Sequence, residues 1–198
     1  MSSTGKTILH TARYFLGIDP AATQTSQAER ETISRFARDR RTALEIGMFE
    51  GASTAIIAKS MAPGGKLYAV DPFFPGRLGI CWSKLIAQRE IGRAGVAGKV
   101  TFVRLLSHDA VERIPEKCFD FIFIDGDHSL EAIAQDWKDW SGRVAREGVI
   151  LLHDTQIPPH NPRVRELGSY QYFQETIIHD PRFDLPEVVD SLSVLRRR

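Results

Sequence analysis

The stretch that decides the fold is Leu44-Glu45-Ile46-Gly47-Met48-Phe49-Glu50-Gly51-Ala52-Ser53. It passes from a short apolar run, through a turn with two glycines, into the amphipathic segment Ser53–Met61. Gly47 permits a tight turn off a strand, and Gly51 lets the backbone approach a ligand where a helix begins. The stretch predicts a strand–turn–helix unit with a binding loop. Two glycines that serve only packing explain the same spacing equally well.

Similar units follow along the chain. The apolar runs are continuous and not alternating, which is typical of strands buried on both faces; they are Ala43–Ile46, Leu67–Val70, Val100–Leu105, Phe119–Ile124 and Val149–Leu152. Amphipathic segments predict helices between them, namely Ser53–Met61, Trp82–Arg93 and Leu130–Val144. This alternation predicts an α/β fold with a doubly wound, mainly parallel sheet and helices on both faces.

The ends of the chain are less regular. We expect residues 1–22 to form an N-terminal arm or a peripheral helix, and residues 23–198 to form a single domain, since 198 residues suit one core. Ser26–Arg40 is predicted to be helical. Phe183–Val189 and Ser191–Arg196 are expected to form a closing antiparallel pair around Asp190.

Composition and charge exclude several classes of protein. Lys and Arg total 26 against 25 Asp and Glu, a net charge of +1, so we expect no nucleic-acid partner. No apolar run reaches the ~20 residues that span a bilayer, which predicts no membrane association. Cys81 and Cys118 lie outside any CxxC or Cys/His cluster, which excludes a thiolate zinc site. Without a secretion signal at the N-terminus, we expect a cytoplasmic protein.

Residues just after the apolar runs are the candidate ligand contacts, because doubly wound sheets bind ligands beyond the carboxyl ends of their strands. Glu45 suits a ligand that carries an ammonium group. Asp71, about 20 residues after Gly51, can accept the hydroxyls of a ribose, or it is a plain turn residue before a proline. Ser107 either reaches an adenine edge or caps the next helix.

Two other strand ends bring carboxylates and imidazoles together. They read Ile124-Asp125-Gly126-Asp127-His128 and Leu152-His153-Asp154-Thr155. Uncompensated carboxylates repel one another, so a cation is expected there, and oxygen ligands favour Mg²⁺ or Mn²⁺. Asp127 is also suited to cap the next helix, and His153 to be a hydrogen-bonded strand-end residue without a metal contact.

Four of these stretches together resemble class I SAM-dependent (S-adenosylmethionine-dependent) methyltransferases: EIGMFEGAST, YAVDPF, FDFIFIDGDHSLEAIAQDW and EGVILLHDT. The resemblance runs from about Thr42 to Thr155. The last two stretches are similar to a metal-dependent branch of small-molecule O-methyltransferases, some of which act on sugars. The resemblance implies a Rossmann-like seven-stranded sheet with one antiparallel edge strand.

The resemblance also implies roles for single residues. It puts five of them near SAM, namely Glu45, Gly47, Ser53, Asp71 and Ser107, and our predicted cofactor site adds Gly51 and Asp125. Asp125 and Asp154 fall on the family's metal positions, and His153 is a third candidate ligand, although relatives often have an acidic residue there. His128 falls where relatives place a general base, and neutral imidazole suits that role because the ordinary pKa of histidine is about 6.5.

The sequence therefore predicts divalent-metal-assisted O-methylation of a small-molecule hydroxyl. One alternative is a methyltransferase that needs no metal and relies on His128 or on proximity. The other is a SAM- or nucleotide-binding module without catalysis. Residues 1–22, 73–82 and 155–172 are expected to form the acceptor pocket, and the apolar arm is compatible with a homodimer.

Overall fold

Seven strands form one sheet in the computed structural model, which describes residues 3–76, 79–184 and 187–198, with side chains from Ile8 onward. The strands are β1 Thr42–Ile46, β2 Lys66–Val70, β3 Val100–Val103, β4 Phe119–Ile124, β5 Val144–Leu152, β6 Glu187–Val189 and β7 Leu192–Arg196. Their order is β3-β2-β1-β4-β5-β7-β6. The first five are mutually parallel, and β7 runs antiparallel to both of its neighbours. The predicted seven-stranded, mainly parallel sheet is confirmed.

Seven α-helices accompany the sheet in the described part of the chain. They are α1 Ser3–Phe15, α2 Gln27–Ala37, α3 Ala52–Ser60, α4 Trp82–Arg93, α5 Ser107–Ala110, α6 Leu130–Trp140 and α7 Gly168–Glu175. Side chains of α2, α3 and α4 pack on one face of the sheet, and those of α5, α6 and α7 pack on the other. Helices therefore cover both faces, as the continuous apolar strands predict.

Successive residues of each strand contribute to opposite faces. In β4, Phe121 and Phe123 pack under α2–α4, whereas Ile122 and Ile124 pack under α5–α7. In β1, Ala43 joins the first layer and Leu44 the second. All of these side chains are at most 4% exposed. A strand with two apolar faces can be stabilised only between two helical layers.

The sequence prediction for the end of α6 is wrong. Val144, expected on a helical face, begins β5, because a short 3₁₀ turn at Ser141–Arg143 ends the helix first. Trp140, the last residue of α6, is 0% exposed. Its indole Nε1–H donates to Ser107 Oγ at 2.8 Å, so full burial leaves no polar atom of the ring unpaired.

The end of the chain forms the expected antiparallel pair in its described part. β6 and β7 are joined through Asp190, which adopts φ 52°, and Leu185 and Pro186 of the predicted pair lie outside the described residues. The turn is tied to α2, because Glu29 accepts hydrogen bonds from the backbone N–H and the hydroxyl of Ser191. This contact fixes α2 beside the carboxyl end of β5.

Candidate functional site

A cavity of about 500 Å³ opens at the carboxyl ends of β1, β2 and β4. Its walls come from residues 22–24 of the N-terminal segment, the loop after β1, Asp71, residues 106–108, residues 125–128 and one side of α6. Ligands bind at this edge of doubly wound sheets, where the strand order reverses. Of the predicted cofactor residues, Gly47, Ser53, Asp71, Ser107 and Asp125 line it, and Glu45 and Gly51 do not.

The loop after β1 depends on both glycines, for different reasons. Gly47 has φ +91°, and a Cβ there would lie 2.0 Å from the carbonyl oxygen of Asp125. Gly51 has φ +81°, and a Cβ there would lie 3.1 Å from Cα of Ala87 in α4. Gly47 thus allows the exits of β1 and β4 to meet beside the cavity, whereas Gly51 allows α3 to pack on α4.

Asp71 is fixed by backbone donors on both carboxylate oxygens. Oδ2 accepts from the N–H of Phe49 at 2.9 Å, and Oδ1 accepts from the N–H of Phe73 at 2.7 Å. The bond from Phe73 is typical of a turn residue. The bond from Phe49 ties the end of β2 to the glycine loop. The turn and the ligand interpretations of Asp71 are therefore compatible, since each oxygen keeps a further lone pair and the residue lines the cavity.

Glu45 lies under the cavity and is 0% exposed. Its Oε2 accepts from the Thr54 hydroxyl at 2.5 Å, while Oε1 is buried without a hydrogen-bond partner among the described residues. Burial raises the pKa of Glu45 to about 8, and the nearby Asp125 and Asp71 carboxylates add to this shift. The hydroxyl of Ser53, which lines the cavity, lowers the pKa of Glu45 and so partly offsets the shift.

The opposite wall carries polar groups of α5 and α6. Ser107 does not cap α5, because its hydroxyl accepts from Trp140 instead. His108 pairs with Asp139 at 2.9 Å, and this pair raises the pKa of the imidazole. Asp136, which the sequence analysis missed, is 5% exposed and lines the cavity, and burial raises its pKa to about 6.

The residues that follow β4 and β5 bring the predicted catalytic side chains together. His128 Nε2 lies 3.4 Å from Asp154 Oδ2 and 4.0 Å from Asp125 Oδ1. Of these three residues, His128 and Asp125 line the cavity, whereas Asp154 does not and is 8% exposed. Burial favours a higher pKa for Asp154, but His153 and His128 beside it lower the pKa overall.

His153 lies between three carboxylates. Its Nδ1 is 3.0 Å from Asp125 Oδ1 and 3.6 Å from Asp154 Oδ2, and its Nε2 is 3.4 Å from Glu29 Oε2. The Nδ1 contacts are ion pairs without the angle of a directed hydrogen bond. Burial lowers the pKa of this imidazole, but the carboxylates outweigh burial and raise it. Both ring nitrogens face acceptors, which is the environment of an imidazolium.

Glu29 is a further residue that the sequence analysis missed. It is 2% exposed and accepts bonds from Ser26, Ser191 and His153. Burial favours a higher pKa, but these donors lower the pKa of Glu29 to about 2. The signal was present, because Ser26-Gln27-Ala28-Glu29 is a capping box at the start of α2.

Asp127 does not cap α6. The N-cap is Ser129, whose hydroxyl accepts from the Ala132 N–H, and Asp127 Oδ1 instead accepts from the Ser129 N–H at 2.8 Å. Asp127 therefore shapes the loop that carries His128.

Helix α7 contacts the residues after β4 and after β5. Ser169 donates its hydroxyl to the Asp154 carbonyl and its N–H to the His128 carbonyl, which ties α7 to both strand ends.

Other predicted walls are only partly at the cavity. Phe74 of the 73–82 segment lines it and is 71% exposed, while Arg77 and Leu78 lie outside the described residues. None of residues 155–172 lines it among the described ones. In the ranges 3–76, 79–184 and 187–198, no group of three or more His, Cys, Asp or Glu side chains has the arrangement of a metal site. No helix there has both the length and the apolarity to cross a membrane.

Two catechol O-methyltransferases are similar to the chain in sequence. It is 33% identical over 142 residues to catechol O-methyltransferase B of Danio rerio, which covers 66% of this chain and 50% of that protein. It is 29% identical over 117 residues to a catechol O-methyltransferase of Mycobacterium tuberculosis, covering 59% and 49% respectively. The chain thus spans about half the length of these relatives.

Solved structures share the fold. An O-methyltransferase from Bacillus cereus in complex with SAH superposes with a TM-score of 0.67 at 21% identity, covering 98% of this chain and 91% of that one. The O-methyltransferase TomG from Streptomyces achromogenes, in complex with SAM, gives 0.63 at 19% identity, covering 100% and 90%. At these identities the likeness concerns the fold alone.

A protein family described as "Methyltransferase domain" matches residues 44–155, more than half of the chain. The matched range begins in the strand that carries Glu45 and ends just after Asp154, so it contains the carboxyl ends of β1, β2 and β4, which meet at the cavity. The chain belongs to this methyltransferase domain family.

Proposed function

We propose that this protein is a SAM-dependent methyltransferase that transfers the methyl group to a hydroxyl of a small molecule. The observation that carries the proposal is that the glycine loop, Asp71, Asp125 and His128 all line one cavity. A cofactor with a ribose and a charged amino-acid part would contact the glycine loop and Asp71. An acceptor would contact His128.

The residues under and around the cavity fit SAM. Oε1 of Glu45 is buried and has no hydrogen-bond partner among the described residues, and the carboxylates of Asp71 and Asp125 add negative charge nearby. A buried carboxylate oxygen without a partner is costly, and an ammonium or sulfonium group would relieve that cost. Asp71 would hold the ribose hydroxyls, and Ser107 would contact the adenine side.

The proposed chemistry uses His128 as the general base. When bound, SAM supplies the methyl group from a sulfonium, whose sulfur keeps the electron pair of the broken C–S bond. His128 takes the proton from the acceptor hydroxyl as its oxygen forms the new C–O bond. Asp154, 3.4 Å from His128 Nε2, orients the ring and stabilises the imidazolium.

The Mg²⁺ or Mn²⁺ ion expected from the sequence stays a prediction, and the donor set as arranged does not fit it. His153 Nδ1 is 3.0 Å from one predicted ligand oxygen and 3.6 Å from the other, so an imidazole takes up the charge of both carboxylates. A hard cation needs those oxygens free, together with further oxygen ligands or water. No step of the proposed mechanism therefore passes through a metal.

The lining of the cavity includes exposed apolar side chains. Phe49, Phe74 and Leu106 line it and are 49%, 71% and 52% exposed. Exposed apolar side chains around a cavity are typical of contacts that a ligand completes. They suit the adenine of SAM and an acceptor with an aromatic or aliphatic body, and the catechol O-methyltransferases among the relatives are named for an aromatic acceptor.

Two measurements test the proposal. Calorimetry with SAM, NAD⁺ and ATP should give binding by SAM alone, and transfer of a labelled methyl group should then be profiled over phenols and sugars. SAM binding without transfer to any acceptor would favour the passive binding module. Absence of SAM binding would refute the proposal. The homodimer, the lack of a nucleic-acid partner and the cytoplasmic location stay predictions from the sequence.

A further inference from the structure

Glu50 is a buried carboxylate that the mechanism does not use. It lies between the two glycines of the loop after β1 and is 4% exposed. A charged side chain in such a position needs partners, because burial of an unpaired carboxylate is costly. Its partners come from the N-terminal segment, far away in the sequence.

Two groups of that segment meet the same carboxylate oxygen. The backbone N–H of Ala22 donates to Glu50 Oε2 at 2.5 Å, and His10 Nε2 lies 3.0 Å from it. Ala22 is followed directly by Thr23 and Gln24, and all three residues line the cavity. Glu50 therefore joins the loop on one side of the cavity to the segment on another.

The rest of the arm is held away from the cavity. Tyr14 is 1% exposed and donates its hydroxyl to Glu90 of α4 at 2.5 Å. Arg13 makes a bidentate pair with Asp19 at 2.8 and 2.9 Å, which holds the chain where it turns after α1. Among the described contacts, Glu50 is thus the acidic side chain that connects this arm to the cofactor loop.

We propose that Glu50 is a positioning residue that fastens residues 22–24 over the cavity, so that docking of the N-terminal arm and binding of the cofactor stabilise each other. This inference rests on the proposed function, since it takes the cavity as the SAM site. The physical basis is linkage: a ligand that contacts a docked wall binds more weakly when that wall is free to leave.

The test measures SAM binding and arm docking separately. Glu50→Ala should weaken SAM binding by about 10-fold or more, the effect of losing one hydrogen bond to a charged group. Without ligand, the amides of residues 20–25 should exchange hydrogen faster than in the unaltered protein. Glu50→Gln should restore most of the affinity, because its amide oxygen can still accept from Ala22. His10→Ala should have a smaller effect in the same direction.

Controls separate this inference from a general loss of stability and from the proposed function. Glu112→Gln removes a carboxylate from an exposed position and should change neither affinity nor exchange at residues 20–25. If the unaltered protein binds SAM and Glu50→Ala binds it equally well, the coupling is refuted and the proposed function stands. If the unaltered protein does not bind SAM, the proposed function is refuted and the coupling with it.

Discussion

Replacing Glu45 with glutamine should stabilise the protein without ligand, by an amount that depends on pH. The pKa of Glu45 is raised from an ordinary value of 4.5 to about 8 in the folded chain. The folded protein must therefore keep a proton that the unfolded chain releases. The contribution of Glu45 to stability is greatest below about pH 4.5 and is lost as the pH rises towards 8.

The size of the effect follows from the same shift. When the folded state binds one proton more than the unfolded state, the free energy of unfolding changes by about 1.36 kcal/mol per pH unit. Between about pH 5 and pH 7.5, the advantage of Glu45→Gln over the unaltered protein should therefore grow by about 3 kcal/mol. Glutamine at position 45 can still accept the hydrogen bond from the Thr54 hydroxyl. This bond should therefore contribute about equally to the stability of the variant and of the unaltered protein.

Urea unfolding followed by circular dichroism, at several pH values in that range, measures the difference directly. Glu112→Gln, the same substitution at an exposed position, controls for the loss of one negative charge. A difference between Glu45→Gln and the unaltered protein that does not change with pH would refute the argument. In the presence of SAM the ranking should reverse, because the neutral amide no longer attracts a cationic ligand.

Four further outcomes are expected. Asp71→Ala should weaken SAM binding by ~10- to 100-fold in calorimetry, since it loses bonds to a charged acceptor, and equal affinity in a folded variant would contradict the assignment. His128→Ala should lower turnover by ~10²–10⁴ with little change in SAM affinity; unchanged turnover would exclude it as the base. Gly47→Ala should unfold at clearly lower urea concentration, because its Cβ would lie 2.0 Å from the carbonyl oxygen of Asp125 at φ +91°; stability equal to that of the unaltered protein would contradict this. Activity should persist in excess chelator, and a loss that Mg²⁺ restores would instead support the divalent ion that the sequence predicts.

The local sequence was sufficient for the five parallel strands, for the main helices between them and for the edge of the sheet that carries the site. Continuous apolar runs can be strands only when both faces are covered, so the five runs already required helices on both sides. Phe119–Ile124 and Trp82–Arg93 have the same bounds in the structure as in the sequence prediction. Polar residues after parallel strands necessarily gather at one edge, which is why Asp71, Asp125 and Asp154 were found as candidates.

What only the tertiary structure decided is which atoms these side chains meet. Glu29 and His153 are 124 residues apart in sequence and 3.4 Å apart in space, and no local pattern reports such a pair. The same holds for Glu50 with Ala22, and for Trp140, whose burial depends on the Ser107 hydroxyl. The charge and hydrogen-bond partners of a buried group are set by neighbours from other elements. The sequence could therefore propose a cation between Asp125 and Asp154, with His153 as a further ligand, but only the tertiary structure showed that the His153 imidazole faces both carboxylates.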